Sequence, residues 1–263
     1  MVLIRQPAVA GTFYPENPEV LRKMLNTFLD AVKSKSTTKV PKAIIVPHAG
    51  YIYSGEIAAS AYARLKAGAD KIKRVIIVAP SHRVAFEGLA VSHADFFNTP
   101  LGDIPLDKIV IQNLVALPFV GYSEEAHHAE HSLEVQLPFL QTVLSDFKLI
   151  PIIVGEAIAA QVEQVLELFY DDADTLIVVS SDLSHYHDYA TAQQLDLETS
   201  RKIEQLDYQH LDYDSACGRI GVSGLLVLAQ KKSRQIETID LRNSGDTAGD
   251  KSRVVGYGSY VIN

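Results

Sequence analysis

Short, wholly apolar runs rich in β-branched residues recur along this chain, and each ends in a proline or a polar cluster. Ala43, Ile44, Ile45 and Val46 form the first, too short for a helix and apolar throughout, which is the pattern of a strand buried on both faces in a parallel sheet. Pro47 cannot donate to a ladder, so the strand should stop there and deliver His48 just past its carboxyl end, with Gly50 turning the chain. Residues 74–79 repeat the device, followed by Pro80, Ser81 and His82. A third run, residues 175–179, leads into Ser180, Ser181, Asp182, Ser184, His185 and His187. Ligands of open α/β sheets sit outside the carboxyl ends of the strands, so three strands delivering ligand-type residues to one edge define the expected site.

Between these runs the pattern switches to helical spacing. Asn17 is an expected N-cap with Pro18 in the first turn and apolar residues at Val20, Leu21, Met24, Leu25 and Phe28. Helices are further expected over residues 55–67, 107–117, 157–170, 191–205 and 220–231, and strands over 89–92, 147–155, 236–240 and 252–262. Residues 10–15 read as a turn with aromatic anchors, 33–41 as a polar connector, 98–103 as a turn and 242–250 as a small polar loop. Glu130 and Glu134, four apart, are expected on one helix face with His131 beside them. The alternation predicts an α/β fold, a mostly parallel central sheet flanked by helices, in one domain spanning residues 1–263.

Charge and composition narrow the partners. A formal charge of -8 without a long basic run argues against nucleic acid, and apolar runs of strand length argue against a membrane span. The single cysteine forms no internal disulfide, and residues 1–7 lack a signal-peptide pattern, so a cytoplasmic protein is expected.

Histidines and carboxylates gathered at one edge suit a divalent cation: imidazole favours iron, zinc or copper, and carboxylates favour harder ions. His48 and His82 lead as metal ligands because the same strand-proline exit places both. Asp182 and His185 follow, either as ligands or as a base and its orienting partner. His131 stands evenly between ligand and structural residue, flanked by Glu130 and Glu134. His127 and His128 read as an exposed helix start, His187 as a loop partner of Asp188, and Cys217 as a small buried residue. Tyr51 and Tyr53 are pocket-lining candidates against a default of aromatic packing, and Asp246 and Asp250 against a default of turn aspartates.

Ala10-Gly11-Thr12-Phe13-Tyr14-Pro15, Val46-Pro47-His48-Ala49-Gly50-Tyr51, Pro80-Ser81-His82, Glu130-His131-Ser132-Leu133-Glu134, Ser180-Ser181-Asp182-Leu183-Ser184-His185 and Cys217-Gly218-Arg219 together resemble the MEMO family. Its prokaryotic members are called AmmeMemoRadiSam system protein B. The resemblance runs from about Ala8 to the carboxyl terminus. It implies a fold similar to the LigB-type class III extradiol dioxygenases, which use non-haem iron. By the same resemblance His48 and His82 match the metal-binding histidines, Asp182 and His185 match pocket residues, and His185 matches the dioxygenases' acid/base position. The cysteine that completes the metal site in animal members falls here at Thr247, leaving Asp246 or a water as third ligand. The implied cofactor is Fe2+, with copper or zinc as alternatives. Implied partners are a small-molecule or peptide substrate and radical-SAM and AMMECR1-like proteins. The resulting expectation is a metal-dependent oxidoreductase; a non-catalytic binding or scaffold protein and a metal-dependent hydrolase are the alternatives.

Overall fold

The computed structural model describes residues 2–32 and 40–263; most of the expected polar connector, residues 33–39, lies outside them. In chain order the elements are β1 (Ile4–Arg5), α1 (Pro18–Ala31), β2 (Ala43–Val46), α2 (Tyr51–Tyr62), β3 (Arg74–Pro80), β4 (Leu89–Val91), β5 (Phe96–Thr99) and β6 (Gly102–Pro105). There follow α3 (Lys108–Leu114), β7 (Val120–Tyr122), α4 (Glu124–His128), α5 (Leu137–Val143), β8 (Lys148–Val154) and α6 (Ala159–Tyr170). The last are β9 (Thr175–Ser180), β10 (His185–His187), α7 (Tyr189–Glu204), α8 (Arg219–Lys231), β11 (Ile236–Asn243) and β12 (Val254–Ile262).

The large sheet runs β10-β12-β2-β9-β3-β8-β4-β7, with β11 paired to β12. Its four middle strands, β2, β9, β3 and β8, are parallel, as their unbroken apolar sequences require. Every residue of β2 and β9 is buried, so both faces are covered. Register aligns Ala43, Ile177, Ile76 and Ile150 in one row of side chains across the middle of the core. The flanks are antiparallel, at β8-β4 and from β2 through β12 to β10 and β11, which makes the whole sheet mixed. α2 lies on β2, β11 and β12, while α8 lies on β3 and β9 with α6 against it.

Asn17 caps α1 as expected, its side chain accepting the N–H groups of Glu19 and Val20. Other elements depart from the sequence pattern. α2 begins at Tyr51 rather than residue 55, because the backbone bonds of Tyr53 and Ser54 to Gly50 already start the turn. The turn expected at residues 98–103 is the tip of a β5-β6 hairpin, which with β1 makes a second sheet of three strands.

Glu130 and Glu134 do not share a helix face. α4 ends at His128, because the Glu130 carboxylate takes the N–H groups of His131 and Ser132 (both 3.0 Å) and draws them out of helical bonding. Gly256 of β12 faces the buried Asp196 of α7, and a Cβ there would lie 2.0 Å from Asp196 Oδ2. Gly256→Ala is therefore expected to lower the unfolding free energy by about 1–3 kcal/mol, measured by urea denaturation.

Candidate metal centre

The pairing of β2 with β9 builds the first part of the site. Val46 and Ser180 are partners in the parallel ladder, and two residues further on the His48 N–H donates to Asp182 Oδ1 at 2.7 Å. Ser180 also fixes the His48 ring. Its hydroxyl gives its one proton to the Ser132 carbonyl (2.6 Å) and accepts from Gln136 Nε2 (2.8 Å). The remaining lone pair, 2.9 Å from His48 Nδ1, therefore accepts, which makes Nδ1 the protonated nitrogen and Nε2 the acceptor. Burial, reinforced by neighbouring His82 and His131, pushes His48 well below the ordinary imidazole range, so the ring stays neutral.

His82, beyond β3, and His131, in the loop after α4, share one support. Glu130 Oε1 lies 2.9 Å from His82 Nδ1 and 3.2 Å from His131 Nδ1, and Oε2 accepts the His82 N–H at 2.6 Å. Burial would raise the Glu130 carboxyl, but the neighbouring His131 and His82 outweigh it and hold the group ionised, below the usual carboxylate range. The ring centres of His48, His82 and His131 are 4.7–5.5 Å apart, and one ligand nitrogen from each lies within 4.8 Å of the others. A small closure brings such nitrogens to a shared ion at bonds of about 2.0–2.1 Å. Three imidazoles, one bonded to a carboxylate, one to a hydroxyl and one whose buried Nδ1 lies 3.2 Å from the same carboxylate without a hydrogen bond, fit a metal ion of the iron, copper or zinc type.

The remaining candidates fall at graded distances. Asp182 is buried, with Oδ2 3.9 Å from His48 Nε2, and burial raises its carboxyl against the pull of the His48 N–H. His185 stands half-buried on β10, outside the three-histidine cluster. A register shift sits in β10 beside it, and Tyr186, at φ +64°, turns its ring to solvent. Tyr51 is turned into the core, its hydroxyl on the Val135 carbonyl. Asp246 is exposed, its oxygens taken by the Tyr189 hydroxyl and the Asn243 N–H, and Thr247 Oγ1 donates to the Tyr53 carbonyl. Neither belongs to the cluster, whose third histidine is His131.

His127, expected at an exposed helix start, is buried with Nε2 3.1 Å from the Ala90 carbonyl, and burial lowers it to about 3. His128 is exposed. Asp188 caps α7 through the N–H groups of Ala190 and Thr191. Cys217 places Sγ 3.2 Å from His48 Nε2, and burial, then the Asp182 charge, push its thiol up to about 12.

No pattern along the chain points to Arg5. Its guanidinium is buried, pairs with Glu134, and donates to the carbonyls of His127 (3.0 and 3.1 Å) and Glu130 (2.8 Å). Glu134 also accepts the N–H groups of Ala8 and Val9 and the Tyr14 hydroxyl, and Phe13 packs 4.8 Å from the His131 ring. The amino-terminal segment thus clamps the loop that carries Glu130 and His131. Only partners separated by more than 120 residues reveal this role.

These features define an α/β protein with a three-histidine cluster at the carboxyl ends of parallel strands. The Memo-like protein family matches residues 5–261. A MEMO1 family protein of Aquifex aeolicus is 37% identical over 268 residues, covering 97% of each chain. Another, of Sulfolobus acidocaldarius, is 36% identical over 278 residues, covering 97% of this chain and 98% of its own. The chain belongs to the Memo-like family. The crystal structure of an uncharacterized protein from Escherichia coli K12 has a similar fold, with a TM-score of 0.58 at 15% identity over 86% of this chain and all of its own.

Two variants test the support of the site. Arg5→Met strands the buried Glu134 charge and should cost about 3–5 kcal/mol in urea unfolding. Asp196, whose carboxyl accepts the Ser184 N–H just before His185, is raised by burial from 3.8 to about 6. A raised folded value means that its stabilising contribution is complete below the ordinary value and lost as pH climbs through about 6. Asp196→Asn should flatten that decline, read as the thermal midpoint between about pH 4 and 7.

Proposed function

We propose that the three-histidine cluster holds one divalent metal ion, ferrous iron in preference to copper or zinc, and that the protein is a metal-dependent oxidoreductase. The carrying observation is the gathering of three imidazoles within reach of one ion, with the buried Glu130 carboxylate bonded to His82 Nδ1, the arrangement that orients an imidazole toward a metal. An iron ion held by the three imidazoles would supply one-electron chemistry toward dioxygen. His48, His82 and His131 hold the ion, and Glu130 and Ser180 fix the rings. His185, on β10, gives or takes the proton of the substrate, and Asp182, whose Oδ1 accepts the His48 N–H, is its positioning partner. The substrate is a small molecule or peptide, and the reaction belongs to a cytoplasmic pathway shared with radical-SAM and AMMECR1-like proteins. The likeness in fold to LigB-type dioxygenases is part of the same reading.

Anaerobic loading with Fe(II) should give about one equivalent per chain, measured by elemental analysis. His48→Ala and His82→Ala should abolish that binding, and Glu130→Gln should weaken it about 10–100-fold. His185→Ala should keep the iron and lose oxygen uptake. A wild-type chain that takes up no iron, copper or zinc would leave a binding or scaffold protein. Ester or phosphoester turnover under strictly anaerobic conditions would leave a hydrolase.

A further inference from the structure

A cavity of about 690 Å³ opens at the carboxyl ends of β3, β8 and β9, closed on one side by the first turn of α8. Val78, Phe86, Val154 and Ile220 give it apolar walls. Ser180 and Cys217 also border it, and both touch the His48 ring, so the cavity and the histidine cluster meet there. Of the Cys217-Gly218-Arg219 motif only Cys217 touches the histidine cluster, and the cavity gives the other two residues a role. A Cβ on Gly218 would lie 2.6 Å from the Ser180 carbonyl oxygen, so only glycine lets this turn run against the end of β9. The turn then sets Cys217 against His48 and Arg219 in the cavity wall.

Among the described residues Arg219 is the one cation in that wall, and it is half-buried. Its guanidinium carbon stacks 3.3 Å from the centre of the Tyr213 ring, which holds the group in place without neutralising it. Arg5, Arg74 and Arg242 all form ion pairs, yet among the described residues no carboxylate lies within ion-pair distance of Arg219. Glu87 and Glu156 border the cavity from the strand side and are exposed. An unpaired guanidinium set among the apolar walls, on a different element from Glu87 and Glu156, favours an anion, and its planar fork suits carboxylate or phosphate oxygens.

We propose that this cavity is the substrate chamber and that Arg219 receives a carboxylate or phosphate group on a substrate whose apolar body fills the space toward His48. The proposal takes its orientation from the metal-site reading, but the anion subsite exists without metal. Isothermal titration of the metal-free protein with hexanoate, hexyl phosphate and neutral 1-hexanol tests it. One or both anions should bind more tightly than the alcohol, and which one binds identifies the head group. Arg219→Gln should weaken that anion about tenfold or more, and Arg219→Lys less, with the thermal midpoint reporting that each variant is folded. Iron binding by Arg219→Gln should match the wild type. Equal affinity for anion and alcohol, or anion binding unchanged in folded Arg219→Gln, overturns the proposal. Failure of the chain to bind iron, with anion binding intact, would overturn the metal reading alone.

Discussion

Parallel pairing of β2, β9 and β3 is the constraint on which the site depends. Parallel neighbours end at the same edge of a sheet, so residues that follow each strand emerge side by side. The ladder pair Val46 and Ser180 sets the spacing, and from it come the contact of Ser180 with the His48 ring and the bond from His48 to Asp182. A slip of one residue would turn each side chain to the other face and break both. The buried apolar rows of the core forbid that slip, so the packing energy of the sheet also fixes the geometry of the cluster.

Buried charge supplies the second level of order. Glu130 carries an ionised carboxylate into a site only 1% exposed, which is tolerable because five donors or near neighbours surround it. Glu134 is equally enclosed and is matched by Arg5, two backbone N–H groups and the Tyr14 hydroxyl. The two glutamates stand four apart in sequence and serve different purposes, one turned to the histidines and the other to the amino-terminal segment. Arg5 links them by pairing with Glu134 while donating to the carbonyls of His127 and Glu130.

The repeated passage from apolar run to proline to histidine made the strands and His48 and His82 legible, because burial on both faces and the missing proline N–H act locally. Strand β10, by contrast, carries no apolar run, and its pairing with β12 is invisible before folding. The placing of Glu130 on a helix followed from spacing alone. It failed because the carboxylate competes for the backbone donors that a helix would use.

The sequence by itself determined the middle strands, the cap of α1, the helices behind the sheet and the histidines at the strand ends. These follow from periodicity, proline and N-cap chemistry, which need only near neighbours. Tertiary structure alone grouped His131 with His48 and His82, enclosed His127, and brought Arg5 to a loop more than 120 residues away. Such choices rest on long-range packing and on the need to satisfy every buried charge, conditions that exist only once the chain has closed on itself.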